Sequence, residues 1–127
     1  MDAINKIAIL GNVTLTINSA TAGSQPDSDT DATTTYNVTV NGPNTKLTGS
    51  LDSAFTAGIT LEVLLQAPTG GTPTQKTRST SAQDLVTGIA HVAESSLSIT
   101  YTATATTAVA SNGAGVARTV TFTLTVV

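Results

Sequence analysis

The chain has 127 residues, 39% of them hydrophobic and only 10% charged, with a net charge of −3 and a pI near 4.7. That is the size of one domain with enough core to fold without covalent staples. The lack of cysteine excludes disulfides and thiolate metal sites, and the acidic balance argues against a phosphate-binding, nucleic-acid surface.

Threonine makes up about a fifth of the residues, and its β-branched side chain suits a pleated, uncharged, wet surface. The residue types that long helices favour are scarce. In chain order, Asp2 to Leu10 is a short apolar segment, an independent strand or an edge extension, that Gly11-Asn12 separates from an alternating strand. In that strand Val13, Leu15 and Ile17 oppose Thr14 and Thr16. Residues 18–33 carry Gly23, Pro26, Asp27, Asp29 and Asp31 and read as a loop. Tyr36, Val38 and Val40 alternate with Asn37 and Thr39, and Asn41-Gly42-Pro43-Asn44 then predicts a turn into a hairpin partner from Lys46 to Leu51.

Ile59, Leu61, Val63 and Leu65 form a further strand, central because Leu64 interrupts its polar face. Gln75 to Thr80 is weakly patterned and is placed at an edge. The segment Ser81 to Ser95 reads two ways. Leu85, Ile89 and Val92 would share a helix face behind a cap-like Ser81 and Asp84, whereas Val86, Thr87 and Gly88 favour a strand. The balance falls on a strand near Asp84 to Gly88 and then a turn, with room for one helical turn around His91.

The C-terminal end carries the clearest pattern. Leu97, Ile99, Tyr101, Ala103 and Ala105 alternate with Ser98, Thr100, Thr102 and Thr104. Val120, Phe122, Leu124 and Val126 alternate with Thr119, Thr121, Thr123 and Thr125. The Asn112-Gly113 pair between the two runs predicts a hairpin. The sum is an all-β chain, an antiparallel immunoglobulin-like sandwich of about seven or eight strands. A closed barrel is the alternative, and no solenoid period is present.

Chemistry is sparse. His91 is the single histidine, no G-x-S-x-G elbow exists, and Asp52, Glu62, Asp84 and Glu94 are dispersed, so no enzyme is expected. Gly70 to Thr77 resembles a phosphate loop, but Gln75 stands where the glycine before Lys76 is needed and Pro73 interrupts it. Asp27-x-Asp29-x-Asp31 has cation-ligand spacing and makes Ca²⁺ the one conceivable cofactor. It lacks the glycine and glutamate of an EF-hand. The threonine rows place hydroxyls roughly 7 Å apart along a strand, like the ice-binding faces of β-rich antifreeze proteins or, more simply, like wet strand faces.

The run from Tyr101-Thr-Ala-Thr-Ala through Asn112-Gly113 to Arg118-Thr-Val-Thr-Phe-Thr-Leu-Thr-Val resembles the closing strands of secreted bacterial pilin-like domains, the spore-coat-U and archaic chaperone-usher type. It covers about a quarter of the chain, with Val126 where such pilins usually carry an aromatic and without their cysteine pair. The resemblance implies a subunit that polymerises with itself by lending an N-terminal strand to a neighbour. Here the candidate donor is Ile4 to Leu10, with Ile4, Ile7, Ile9 and Leu10 as anchors, and Val120 to Val126 forms the core or groove wall. The same residues would otherwise form the chain's own first strand. Composition suggests a secreted or cell-surface protein, a mature form whose signal was replaced by Met1. No run reaches the roughly 20 apolar residues of a membrane-spanning helix. The competing reading is a surface-binding module working through the aspartates or the threonines.

Overall fold

The structure, a computed structural model, describes residues 1–11, 13–15, 17, 20–55, 57–74, 76–77, 82–107 and 119–127. Alternation becomes architecture most plainly in the strand Ile59–Leu65, where Leu61, Val63 and Leu65 are buried and Thr60 and Leu64 face out. Among the described residues there are nine such segments and no helix: β1 (Asn5–Leu10), β2 (Asp29–Val40), β3 (Thr45–Leu51), β4 (Ile59–Leu65), β5 (Thr72–Pro73), β6 (Lys76–Thr77), β7 (Gln83–Ile89), β8 (Val92–Ala105) and β9 (Val120–Val126). They form two antiparallel sheets, β1-β2-β8-β4-β6 and β5-β7-β3-β9. The apolar faces meet in a core that includes Tyr36, Val38, Leu47, Val63, Leu85, Ile89 and Ile99, the layering expected when each sheet buries one face.

The expected hairpins do not form. After β1 and β2, every successive strand lies in the sheet opposite to its predecessor. The chain from β2 to β3 therefore crosses the core, and Lys46 to Leu51 pairs with β7 and β9 instead of with Tyr36 to Val40. Likewise β8 pairs with β2 and β4, while β9 pairs with β3. The Asn112-Gly113 turn lies outside the described residues. The physical reason is that hairpin partners present their apolar faces side by side, leaving both uncovered, whereas strands joined across the core cover one another.

Residues 83–95 resolve as strand, turn, strand, with His91 in the turn at φ 50 and no helical turn there. Their helix-like spacing has a cause. The pairing of β3 with β7 shifts register twice, between Thr45 and Leu47 and between Leu47 and Thr48. Each shift inserts an extra residue on β7 and breaks the period of two. Gly88 sits in this distorted stretch at φ 71, a conformation that L side chains adopt at a cost. Three expectations hold: the strand near Asp84 to Gly88 followed by a turn, β4 inside its sheet, and Lys76–Thr77 as an edge strand. The described residues of 13–17 are outside any strand, and Val13 and Leu15 pack partly against the core from the connection.

β8 also carries a bulge. Tyr36 pairs with Leu97 but Val38 pairs with Glu94, so one residue of β2 faces two of β8. Ser96 takes φ 59 there, and its N–H donates to the Asn37 Oδ1 at 2.9 Å. A second shift falls between Asp31 and Thr34 on β2. At that point the Asp31 carboxylate accepts from the Thr33 N–H at 2.8 Å and from the Thr33 hydroxyl at 2.7 Å.

Candidate functional site at the open side of the sandwich

β1 and β9 are edge strands of the two different sheets and lie on the same side of the molecule. Ile7 pairs with Val38 and Ile9 with Tyr36. Directly opposed residues share a face, so Ile7 and Ile9 point toward the core while Lys6, Ala8 and Leu10 point away from it. Ile7 packs partly against the core, but Ile9 remains 38% exposed and Leu10 48%. Ile4, just before β1, is half-buried. On the facing edge Val120, Phe122 and Leu124 are only partly buried, and Val126 is 61% exposed. An edge strand has neighbours on one side only, so the inward faces of both strands lie at the margin of the core. The structure thus sets β1 on the same side of the molecule as Val120, Phe122, Leu124 and Val126 of β9. Only Ile7 and Ile9 of the four N-terminal candidates lie on the inner face of β1; Leu10 points away and Ile4 precedes the strand.

The aspartates behave differently from the loop that the sequence suggested. Asp29 and Asp31 are strand residues, opposite Ala103 and Tyr101, and Asp27 precedes the strand. The two hydrogen bonds from Thr33, the hydroxyl first and the amide second, hold the Asp31 carboxyl below its ordinary range. This carboxylate therefore closes a bulge. No group of three or more His, Asp or Glu side chains among the described residues is arranged to hold a metal ion.

Other carboxylates also have structural work. Asp52 Oδ1 accepts from the Thr119 N–H at 3.0 Å and the Ser53 N–H at 2.9 Å. Asp84 pairs with Lys46 at 3.2 Å, and Glu94 accepts from the Thr69 N–H at 2.7 Å. His91 is exposed in the β7–β8 turn, and its backbone N–H donates to the Gly42 carbonyl at 3.2 Å. The glycine-rich stretch after Pro68 turns into β5, and among the described residues no helix follows it to receive a phosphate.

The threonine rows do not form one platform. Thr100, Thr102 and Thr104 lie on the outer face of the five-stranded sheet, and Thr121, Thr123 and Thr125 on that of the other. Thr102 sits between Thr30, hydroxyl to hydroxyl at 3.3 Å, and Glu62 on the other neighbour, and Thr100 lies beside Leu64. Charge and bulk therefore interrupt the first row. Two side-chain contacts escaped the sequence reading, those of Asn37 and Asn41, because an asparagine in a strand or a turn carries no local sign of what its side chain will bind.

No helix among the described residues is long and apolar enough to cross a membrane. No protein-family model, curated protein or solved structure matches the chain.

Proposed function

We propose that the chain is a non-enzymatic structural subunit with an immunoglobulin-like sandwich, and that it self-assembles into a filament or surface coat by β-strand addition through its N-terminal strand. The observation that carries this reading is β1 itself. It is an edge strand, held in its sheet by β2 alone, with apolar side chains left partly in solvent. An apolar open edge is a template for a further strand. Residues 11–28, between β1 and β2, would span roughly 60 Å if extended, enough for β1 to reach the equivalent position in a neighbouring copy. A strand that alternates between its own slot and a neighbour's makes a heterologous contact, and such contacts propagate into filaments when they do not close. The low charge and the threonine-covered outer faces suit a secreted or cell-surface location.

The test is light scattering after size-exclusion chromatography, with negative-stain electron microscopy, on the full chain and on a chain beginning at Asn12. The expected result is concentration-dependent polymer from the full chain and none from the shortened one. Stable monomers from both would refute strand addition.

A further inference from the structure

β1 has apolar residues on both faces: Ile7 and Ile9 on the inner one, Ala8 and Leu10 on the outer. A slip by one residue exchanges these faces, and a slip by two preserves them, so the hydrophobic pattern of β1 specifies its register only weakly. Asn5 does not settle it, because its Oδ1 is buried without a hydrogen-bond partner. Something at the end of the strand has to stop it.

Asn41, the residue after β2, is placed to do so. Its backbone N–H donates to the Ile4 carbonyl at 3.1 Å. Its side-chain Oδ1 accepts from the Ile4 N–H at 2.8 Å, and its Nδ2 donates to the Asp2 carbonyl at 2.9 Å. One carboxamide thus offers an acceptor and a donor to successive main-chain groups, as a peptide unit of a longer β2 would. Its Nδ2 also donates to the Met1 Sδ at 3.3 Å; the other three contacts are to main chain, so Asn41 chiefly senses where an extended backbone lies. Ile4 and Asn41 form a hydrogen-bonded pair; by the alternation of antiparallel ladders, Lys6, Ala8 and Leu10 then bond to β2 while the main-chain groups of Asn5, Ile7 and Ile9 face the open edge.

We propose that Asn41 is the register stop of the β1 slot, and that the strand it positions is residues 2–10 of this chain or, resting on the self-assembly reading above, of a second copy. Asn41 is a positioning residue: it fixes which residues of the incoming strand meet Val38 and Tyr36.

Amide hydrogen exchange on the full chain tests this. In Asn41→Ala, protection of the Lys6, Ala8 and Leu10 amides should fall roughly tenfold or more, from the loss of the side-chain hydrogen bonds to Ile4, Asp2 and Met1, while amides of β3 and β9 keep theirs. Asn41→Asp retains the acceptor for Ile4 but loses the donor to Asp2, and should fall between the two. Unchanged protection in β1, or an equal loss in every strand, would overturn the stop. A fluorescent peptide of residues 1–11, added to the full chain, separates the two halves of the proposal. Faster capture by Asn41→Ala than by the parent supports a slot shared between copies. Selective loss of β1 protection with no peptide captured by either leaves the stop standing and overturns the second copy as its occupant.

Discussion

Tyr36 is fully buried in β2, and its hydroxyl donates to the Gln66 carbonyl at 2.6 Å. Replacing it with phenylalanine keeps the ring and removes only that bond. The cost should be that of one hydrogen bond, about 1–1.5 kcal/mol at neutral pH. For a chain of this size that is a fall in Tm of about 3–6 °C. The same hydroxyl has a pH signature. Burial, with the nearby Glu94 charge as the smaller cause, pushes it up to about 12. The folded state therefore holds the proton more tightly than the unfolded one. Its stabilising contribution is complete below pH about 10 and is lost as pH rises through the folded value, about 2–3 kcal/mol over two units. Burial also raises Tyr101, and the chain has no other tyrosine. Urea melts followed by far-ultraviolet circular dichroism from pH 7 to 12, with tyrosinate absorbance recorded in parallel, give both quantities. Neither tyrosine should ionise in its ordinary range while the protein is folded, and Tyr36→Phe should flatten the alkaline loss of stability. Equal stability of the two proteins at pH 7 with an unchanged alkaline slope would refute the reasoning.

Gly88→Ala should destabilise by about 1–2 kcal/mol from the left-handed backbone alone, because a Cβ there meets only the Gly70 carbonyl at 3.7 Å; a denaturant melt measures it. At the β8 bulge, Ser96→Gly should stabilise by up to about 1 kcal/mol, since Ser96 already has positive φ. Asn37→Ala should cost about 1 kcal/mol by leaving the Ser96 N–H unpaired. The depressed Asp31 carboxyl favours the folded state above its unfolded pKa, and that contribution is lost as pH falls through the folded value. Asp31→Ala should therefore flatten the acid limb of the stability curve below about pH 4. If Asp31 serves the bulge and not a cation, millimolar Ca²⁺ should leave the melting temperature where a chelator leaves it.

The division between what was legible in the residues and what was not runs along the range of the forces involved. Period-two alternation is a property of neighbouring residues, and it correctly marked Tyr36 to Val40, Ile59 to Leu65, Leu97 to Ala105 and Val120 to Val126 as strands with their inward faces named. It broke at Leu85, Val86 and Ile89, where bulges against β3 change the phase; there Val86, Thr87 and Gly88 still marked the strand near Asp84 to Gly88, but only the partner strand reveals the bulges. The candidate donor and wall residues were legible as apolar strand positions. Their gathering at one open side was not, because it depends on β1 and β9 being edges of facing sheets.

By itself, then, the sequence determined that this chain is all-β, which residues make most of its strands, and which side of each is apolar. Only the tertiary structure decided which strands pair. In local terms Asn41-Gly42 favours a hairpin, and what overrides it is the need to cover every apolar face at once. Lys46 to Leu51 satisfies that condition between β7 and β9, across the core from the strand that precedes it. The same global requirement sets Asn41 beside Ile4, far from it in sequence, where its amide meets the end of β1.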